Sequence, residues 1–193
     1  MPHSFSDAEI QRHNRLCAEA DALAEGELYF GVNSPGDPDD ATAAKLRRAA
    51  YLFQQALDIH CDNESAMFMI GKIYQRLDED IEALTWFVRA FRVNGTNADA
   101  AREAGIAATD LGDAPLAVEM CQAAVALDPQ EPGLIANLAL AYLIAGDLDL
   151  AAAAAQHRLL RAPKDAISHE VARVISEVRT GRRPQPKSMR DLQ

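Results

Sequence analysis

Apolar positions along this chain recur at the three- and four-residue intervals of helices that bury one face. From Ser6 to Phe30, Ile10, Cys17, Ala20, Ala24 and Leu28 fall on one stripe, with Ser6 placed to cap its start. From Asp165 to Thr180, Ile167, Val171, Val174 and Val178 repeat the pattern between charged residues. Gly112-Asp113 and Gly146-Asp147 each separate one apolar helical stretch from the next, as a helix stop followed by a start would. The Gly, Pro and Asp residues of positions 31–40 break helical order and predict an enlarged acidic turn, and Gly181, Pro184 and Pro186 end it again. The pattern predicts an all-α chain.

A second, longer period lies over the first. Ala83, Ala117 and Ala151 are 34 residues apart, as are Gly71, Gly105 and Ala139, and Pro129 and Pro163. Small residues, turn residues and prolines share this register, which specifies a repeated helix-turn-helix unit. Gly71, Gly105 and Ala139 are expected where the two helices of a hairpin cross, so a leucine at Gly71 or Ala139 would overpack the contact.

The segment Ile70-Gly71-Lys72-Ile73-Tyr74, followed by Ala83-Leu-Thr-Trp-Phe87 and Ala90, resembles the tetratricopeptide repeat (TPR). Met67 stands at the family's Trp position. The next unit keeps Gly105, Ala117, Ala124 and Pro129 but carries Ala108 for Tyr and Cys121 for Phe. The third keeps Tyr142, Ala151 and Pro163, with Ala139 for Gly and Arg158 for a later Ala. Upstream, Ala49, Phe53 and Ala56 stand one period before Ala83, Phe87 and Ala90, as in the second helix of an earlier repeat. The resemblance implies a right-handed α-solenoid of antiparallel hairpins forming a single domain over residues 1–180. Within it are an irregular first repeat (6–63), repeats at 64–97, 98–131 and 132–165, and a capping helix at 166–180. A basic flexible tail is expected at 181–193.

Composition agrees with closely packed helices: 37 alanines and 6% aromatic residues suit them better than sheets. The formal charge of −10 argues against general nucleic-acid binding. The charge is uneven, because Arg179, Arg182, Arg183, Lys187 and Arg190 face a single acid, Asp191, at the end of the sequence. Cys17, Cys61 and Cys121 are odd in number and widely spaced, which fits reduced thiols in a cytoplasm. Met1-Pro-His-Ser-Phe-Ser-Asp lacks a basic stretch followed by an apolar one, and the longest nearly apolar run, from Leu134 to Ala145, is too short to span a bilayer, so neither export nor membrane insertion is expected.

The sequence contains no HExxH helix, P-loop, strand-linked GxGxxG or GxSxG elbow. His3, His13, His60, His157 and His169 make no short ligand pattern, and Asp37, Asp39 and Asp40 lack the glycine and distal glutamate of a calcium loop. Cys121 reads as a small buried hydrophobe, and Trp86 and Phe87 as helix-packing residues, so no catalytic residue, metal or cofactor is expected.

The resemblance implies a groove lined by the first helix of each repeat and suited to a peptide or helix of a protein partner. Carried over residue by residue, the groove positions include Phe68, Lys72, Gln75 and Arg76; then Asp99, Arg102, Ile106, Thr109 and Asp110; then Ala136, Leu140, Leu143 and Ile144, with Asn137 beside them. The expected function is a non-catalytic adaptor whose partner sets an acidic group against Lys72, Arg76 or Arg102 and an apolar anchor on Leu140 and Ile144. Coverage of that patch by the N-terminal helix, the capping helix or a second copy is the alternative occupancy, so a homodimer is compatible. A secretion-type chaperone is the second functional reading and an enzyme the third.

Overall fold

The computed structural model describes residues 5–28 and 37–192. Tyr29, Phe30 and most of the acidic turn, residues 31–36, lie outside the described residues. So do His3 and Gln193. Among the described residues every regular element is helical. The expectation of one domain through residue 180 meets a chain that divides into two compact units, Met1–Val93 and Asn94–Gln193.

The first unit holds α1 (Asp7–Ala24), α2 (Asp40–Ile59), α3 (Glu64–Arg76) and α4 (Asp80–Asn94). Ser6 and Glu9 form a reciprocal capping box at the start of α1. The helix stops at Ala24 rather than running to Phe30, because Gly26 adopts a left-handed φ of 76° just beyond it. Asp39 caps α2, whose apolar face buries Leu46, Ala49, Leu52, Phe53 and Ala56. This is the second helix expected one period before α4. In the α3–α4 hairpin, Gly71 lies against the buried Phe87 ring: a Cβ on Gly71 would stand 2.6 Å from two of its atoms.

The second unit holds α5 (Ala98–Leu111), α6 (Ala114–Leu127), α7 (Pro132–Ala145), α8 (Leu148–Arg161), α9 (Ala166–Arg179) and a short 3-10 turn, η1 (Met189–Leu192). Gly105 meets Cys121 as Gly71 meets Phe87. Ala139, Leu143, Ala151, Ala155, Val171, Val174 and Ile175 form a core shared by α7, α8 and α9. The capping helix thereby removes from water the apolar face that the last hairpin would otherwise expose.

The 34-residue period also governs polar detail. Asn63, Asn97, Glu131 and Asp165, one period apart, each accept a backbone N–H at the start of α3, α5, α7 and α9. Asp78, Gly112 and Gly146, again one period apart, carry the positive φ that closes α3, α5 and α7, at 58°, 77° and 82°. Asp is among the few non-glycine residues that tolerate this conformation, which lets the α3–α4 hairpin turn without glycine. Gln54 donates to the Tyr74 hydroxyl at 3.5 Å, and Gln122 donates to that of Tyr142 at 2.8 Å. These two pairs are two periods apart, and the positions halfway between them are Val88 and Ala108, so hydroxyl and amide are both missing there.

Residues 181–192, expected to be a flexible tail, take a defined course back over the second unit. Pro186 is fully buried, η1 lies against α5, and Leu192 packs on the core of α7, α8 and α9. An apolar proline and leucine within the basic segment supply the contacts that charge alone would not.

Candidate functional site

The residues expected to face a partner divide between the two units. In the first, all four come from α3. Phe68 is half-buried, its ring centroid 5.6 Å from that of Phe87. Lys72 is buried at 6% exposure, and its ammonium donates to Gln75 Oε1. Arg76 Nε donates at 3.2 Å to the backbone carbonyl of Glu27, just past α1, while the Glu27 carboxylate holds Lys45 Nζ at 3.1 Å. The end of α1 thus sits against α3, and Asp21, Ala24, Glu25 and Leu28 line an open cleft of about 530 Å³ with Met69. In this unit the expected cations already have partners within the chain.

In the second unit the residues come from α5 and α7. Arg102 bonds Asp99 at 2.7 Å and Glu103 at 3.1 Å. Ile106, Asn137 and Leu140 are half-buried and keep part of their surface. Thr109 is buried, its hydroxyl turned back to the Gly105 carbonyl at 2.7 Å. Leu143 belongs to the core rather than to an open groove, because it packs with Ala139, Ala151 and Val171, and Ile144 is 5% exposed. What α5 and α7 offer a partner is therefore narrower than the sequence suggests.

The segment 185–192 runs over this same pair of helices. Gln185 Nε2 donates to the Leu143 carbonyl, and the Lys187 carbonyl comes so close to Gly112 that a Cβ there would lie 2.5 Å away. Asp191 Oδ2 accepts the backbone N–H groups of Lys187 at 2.7 Å and of Ser188 at 3.2 Å, folding the segment into a hook. No motif announces this placement; the signal available in the sequence is a proline and a leucine flanking polar residues.

Among the described residues no group of three or more His, Cys, Asp or Glu side chains could hold a metal ion. Asn63 Nδ2 donates to His13 Nε2 at 2.9 Å, tying α1 to the start of α3, and the His13 and His60 rings meet edge to face at 5.7 Å. The His169 ring bonds the Pro163 carbonyl at 2.8 Å. All three cysteines are free thiols. Burial pushes the Cys121 thiol up to about 12 and, together with the charge of Asp21, raises that of Cys17. Burial also raises the carboxyl of Asp21 above the usual range. No described helix is long and apolar enough to cross a membrane.

No family model and no curated protein matches the sequence. Solved structures do match it. A crystal structure of MamA superimposes with a TM-score of 0.70 at 16% identity, covering 88% of this chain and 84% of that one. A tetratricopeptide repeat protein from Parabacteroides merdae gives 0.67 at 14% identity, covering 89% and 61%. YrrB, described as a TPR protein with an unusual peptide-binding site, gives 0.64 at 22% identity, covering 75% and 74%. The 34-residue hairpin register, the small residues at the helix crossings and these likenesses give the chain the fold of the tetratricopeptide-repeat proteins.

Proposed function

We propose that this chain is a non-catalytic interaction scaffold that takes a peptide or helix of a protein partner on the α5–α7 face of its second unit. The observation that carries this reading is the half-exposed apolar surface of Ile106 and Leu140 on neighbouring first helices, with the Asn137 amide beside it. Such a patch supplies an apolar anchoring surface, and the amide supplies direction. A peptide-binding TPR relative, YrrB, supports the same use of the fold. Arg102 is the cation in this unit for an acidic group on the partner, which must compete with Asp99 and Glu103. In the first unit Lys72 and Arg76 would face the same competition from Gln75 and the Glu27 carbonyl. Three free cysteines fit a reducing cytoplasm.

The test is quantitative capture from a native extract with the intact chain and with an Ile106→Asp, Leu140→Asp variant whose helicity and melting are checked in parallel. A protein enriched on the intact chain and lost from a folded variant is the expected result. Identical recoveries on both would refute this reading.

A further inference from the structure

We propose that the C-terminal ends of α5 and α7 form a binding site for a basic, proline-containing peptide that turns back on itself after the proline, and that residues 185–192 occupy this site in cis. The proposal rests on the scaffold reading and adds to it a second site on the same two helices, with its own ligand chemistry and a device that regulates access.

The placement of Pro186 leads to this conclusion. It is fully buried, whereas Lys187 after it and Pro184 two residues before it are exposed and Gln185 between the prolines is half-buried, so the proline ring is the most deeply inserted group of the segment. Ahead of it, the Gln185 amide donates to the Leu143 carbonyl, one of the terminal acceptors of α7. Behind it, the Lys187 carbonyl approaches Gly112 at a distance that no side chain at 112 would allow. Leu192 supplies a second apolar contact on the core beneath. An amide donor, a buried proline, a close backbone approach and a leucine beyond the turn are the elements by which these helix ends hold the segment.

The way the segment is held makes it displaceable. The N–H groups of Lys187 and Ser188 are satisfied by Asp191 within the segment itself, and the Asp191 carbonyl is held by Arg183 rather than by α5 or α7. Lys187 and Arg190 point its positive charge outward on a chain whose formal charge is −10. A partner segment of the same chemistry can replace it with little change in the bonds made, and the chain's net negative charge favours its approach. The equilibrium between cis and trans occupancy then sets the apparent affinity, because the cis segment lowers the fraction of open site.

The experiment uses the full chain and a fluorescent peptide with the sequence of residues 184–192. Pro186→Asp should release the cis segment without altering α5 or α7, and the variant should bind the peptide at least 10-fold more tightly than the unmodified chain does. Asp191→Ala, which undoes only the hook, should give a smaller gain in the same direction. A peptide with Asp in place of its internal proline should bind neither variant. Hydrogen exchange in the unmodified chain should show the Lys187 and Ser188 amides losing protection as excess peptide is added. Equal affinity of the unmodified chain and both variants, or no binding to either variant with helicity retained, would overturn the proposal. Because the probe is the chain's own segment, its failure alongside an Ile106- and Leu140-dependent partner capture would leave the scaffold reading standing.

Discussion

Gly105 on α5 and Cys121 on α6 approach so closely that a Cβ on the glycine would lie 2.6 Å from the cysteine sulfur and 3.1 Å from its backbone nitrogen. The family's bulky aromatic is replaced here by a thiol, and the two helices close onto it. Gly105→Ala should therefore destabilise the second unit by about 1–3 kcal/mol, read from the urea midpoint. Adding Cys121→Ala should restore part of the loss and not all of it, because the backbone nitrogen stays in place. Gly133→Ala, at an exposed helical position whose added methyl would meet only the Glu131 carboxylate at 3.3 Å, should not destabilise the fold. Equal midpoints for the first and last variants would disprove the crossing.

The three thiols should separate by reactivity in the native protein. Cys61 is exposed and should alkylate first. Cys17 is partly buried, with a thiol raised by burial and by Asp21, so it should lag. Cys121, pushed up to about 12, holds almost no thiolate near neutral pH and should react only when the second unit opens. Timed iodoacetamide labelling with peptide mass spectrometry gives the order, and early modification of Cys121 would contradict its burial.

Gly112 and Gly146 end α5 and α7 with the same left-handed backbone, yet alanine at the two should not cost the same. Each substitution incurs the steric cost of a Cβ at positive φ, about 1–2 kcal/mol. Gly146→Ala meets nothing nearer than Gln185 at 3.9 Å, whereas Gly112→Ala meets the Lys187 carbonyl at 2.5 Å. Gly112→Ala should therefore lower the urea midpoint further and, unlike Gly146→Ala, expose the Lys187 and Ser188 amides to hydrogen exchange.

Much of the fold was legible because it depends on small residues and turn residues that cannot be exchanged freely. Gly71, Gly105 and Ala139 mark helix crossings, and Gly112-Asp113 and Gly146-Asp147 mark turns, so their period exposed the hairpins. Asp78 hid the α3–α4 turn, since an aspartate at positive φ leaves no distinctive mark. The candidate site was less legible. Family positions locate a residue on a helix face but do not say what lies over it. Leu143 sits at a groove position and is consumed by the core that α9 completes, and the Arg76 guanidinium is taken by a carbonyl 49 residues away. The folded course of residues 181–192 depends on the burial of one proline and on Leu192 meeting the α7–α9 core, which periodicity does not report.

Asp165 shows how a departure from the repeat pattern is compensated, and it gives the fold an acid sensitivity. Arg158 stands where the family prefers alanine, and its guanidinium reaches forward to the Asp165 carboxylate at 3.2 Å, while that carboxylate also caps α9 through the Ser168 N–H at 2.9 Å. Burial alone would raise the carboxyl, but the Ser168 hydrogen bonds and the Arg158 charge outweigh it, and the group lies below its ordinary 3.8. The unfolded chain therefore takes up the proton at a higher pH than the folded one. The stabilisation is complete above the ordinary value and is lost as pH falls through the folded value. Asn at 165 can still cap the helix but cannot hold the arginine by charge. Between about pH 5 and about pH 3 the melting temperature of the unmodified protein should fall further than that of Asp165→Asn, while other carboxylates contribute equally to both. Asp165→Ala, which removes the cap as well, should already be less stable near neutral pH by about 0.5–2 kcal/mol. Parallel melting profiles for the unmodified protein and Asp165→Asn would show that the acid sensitivity lies elsewhere.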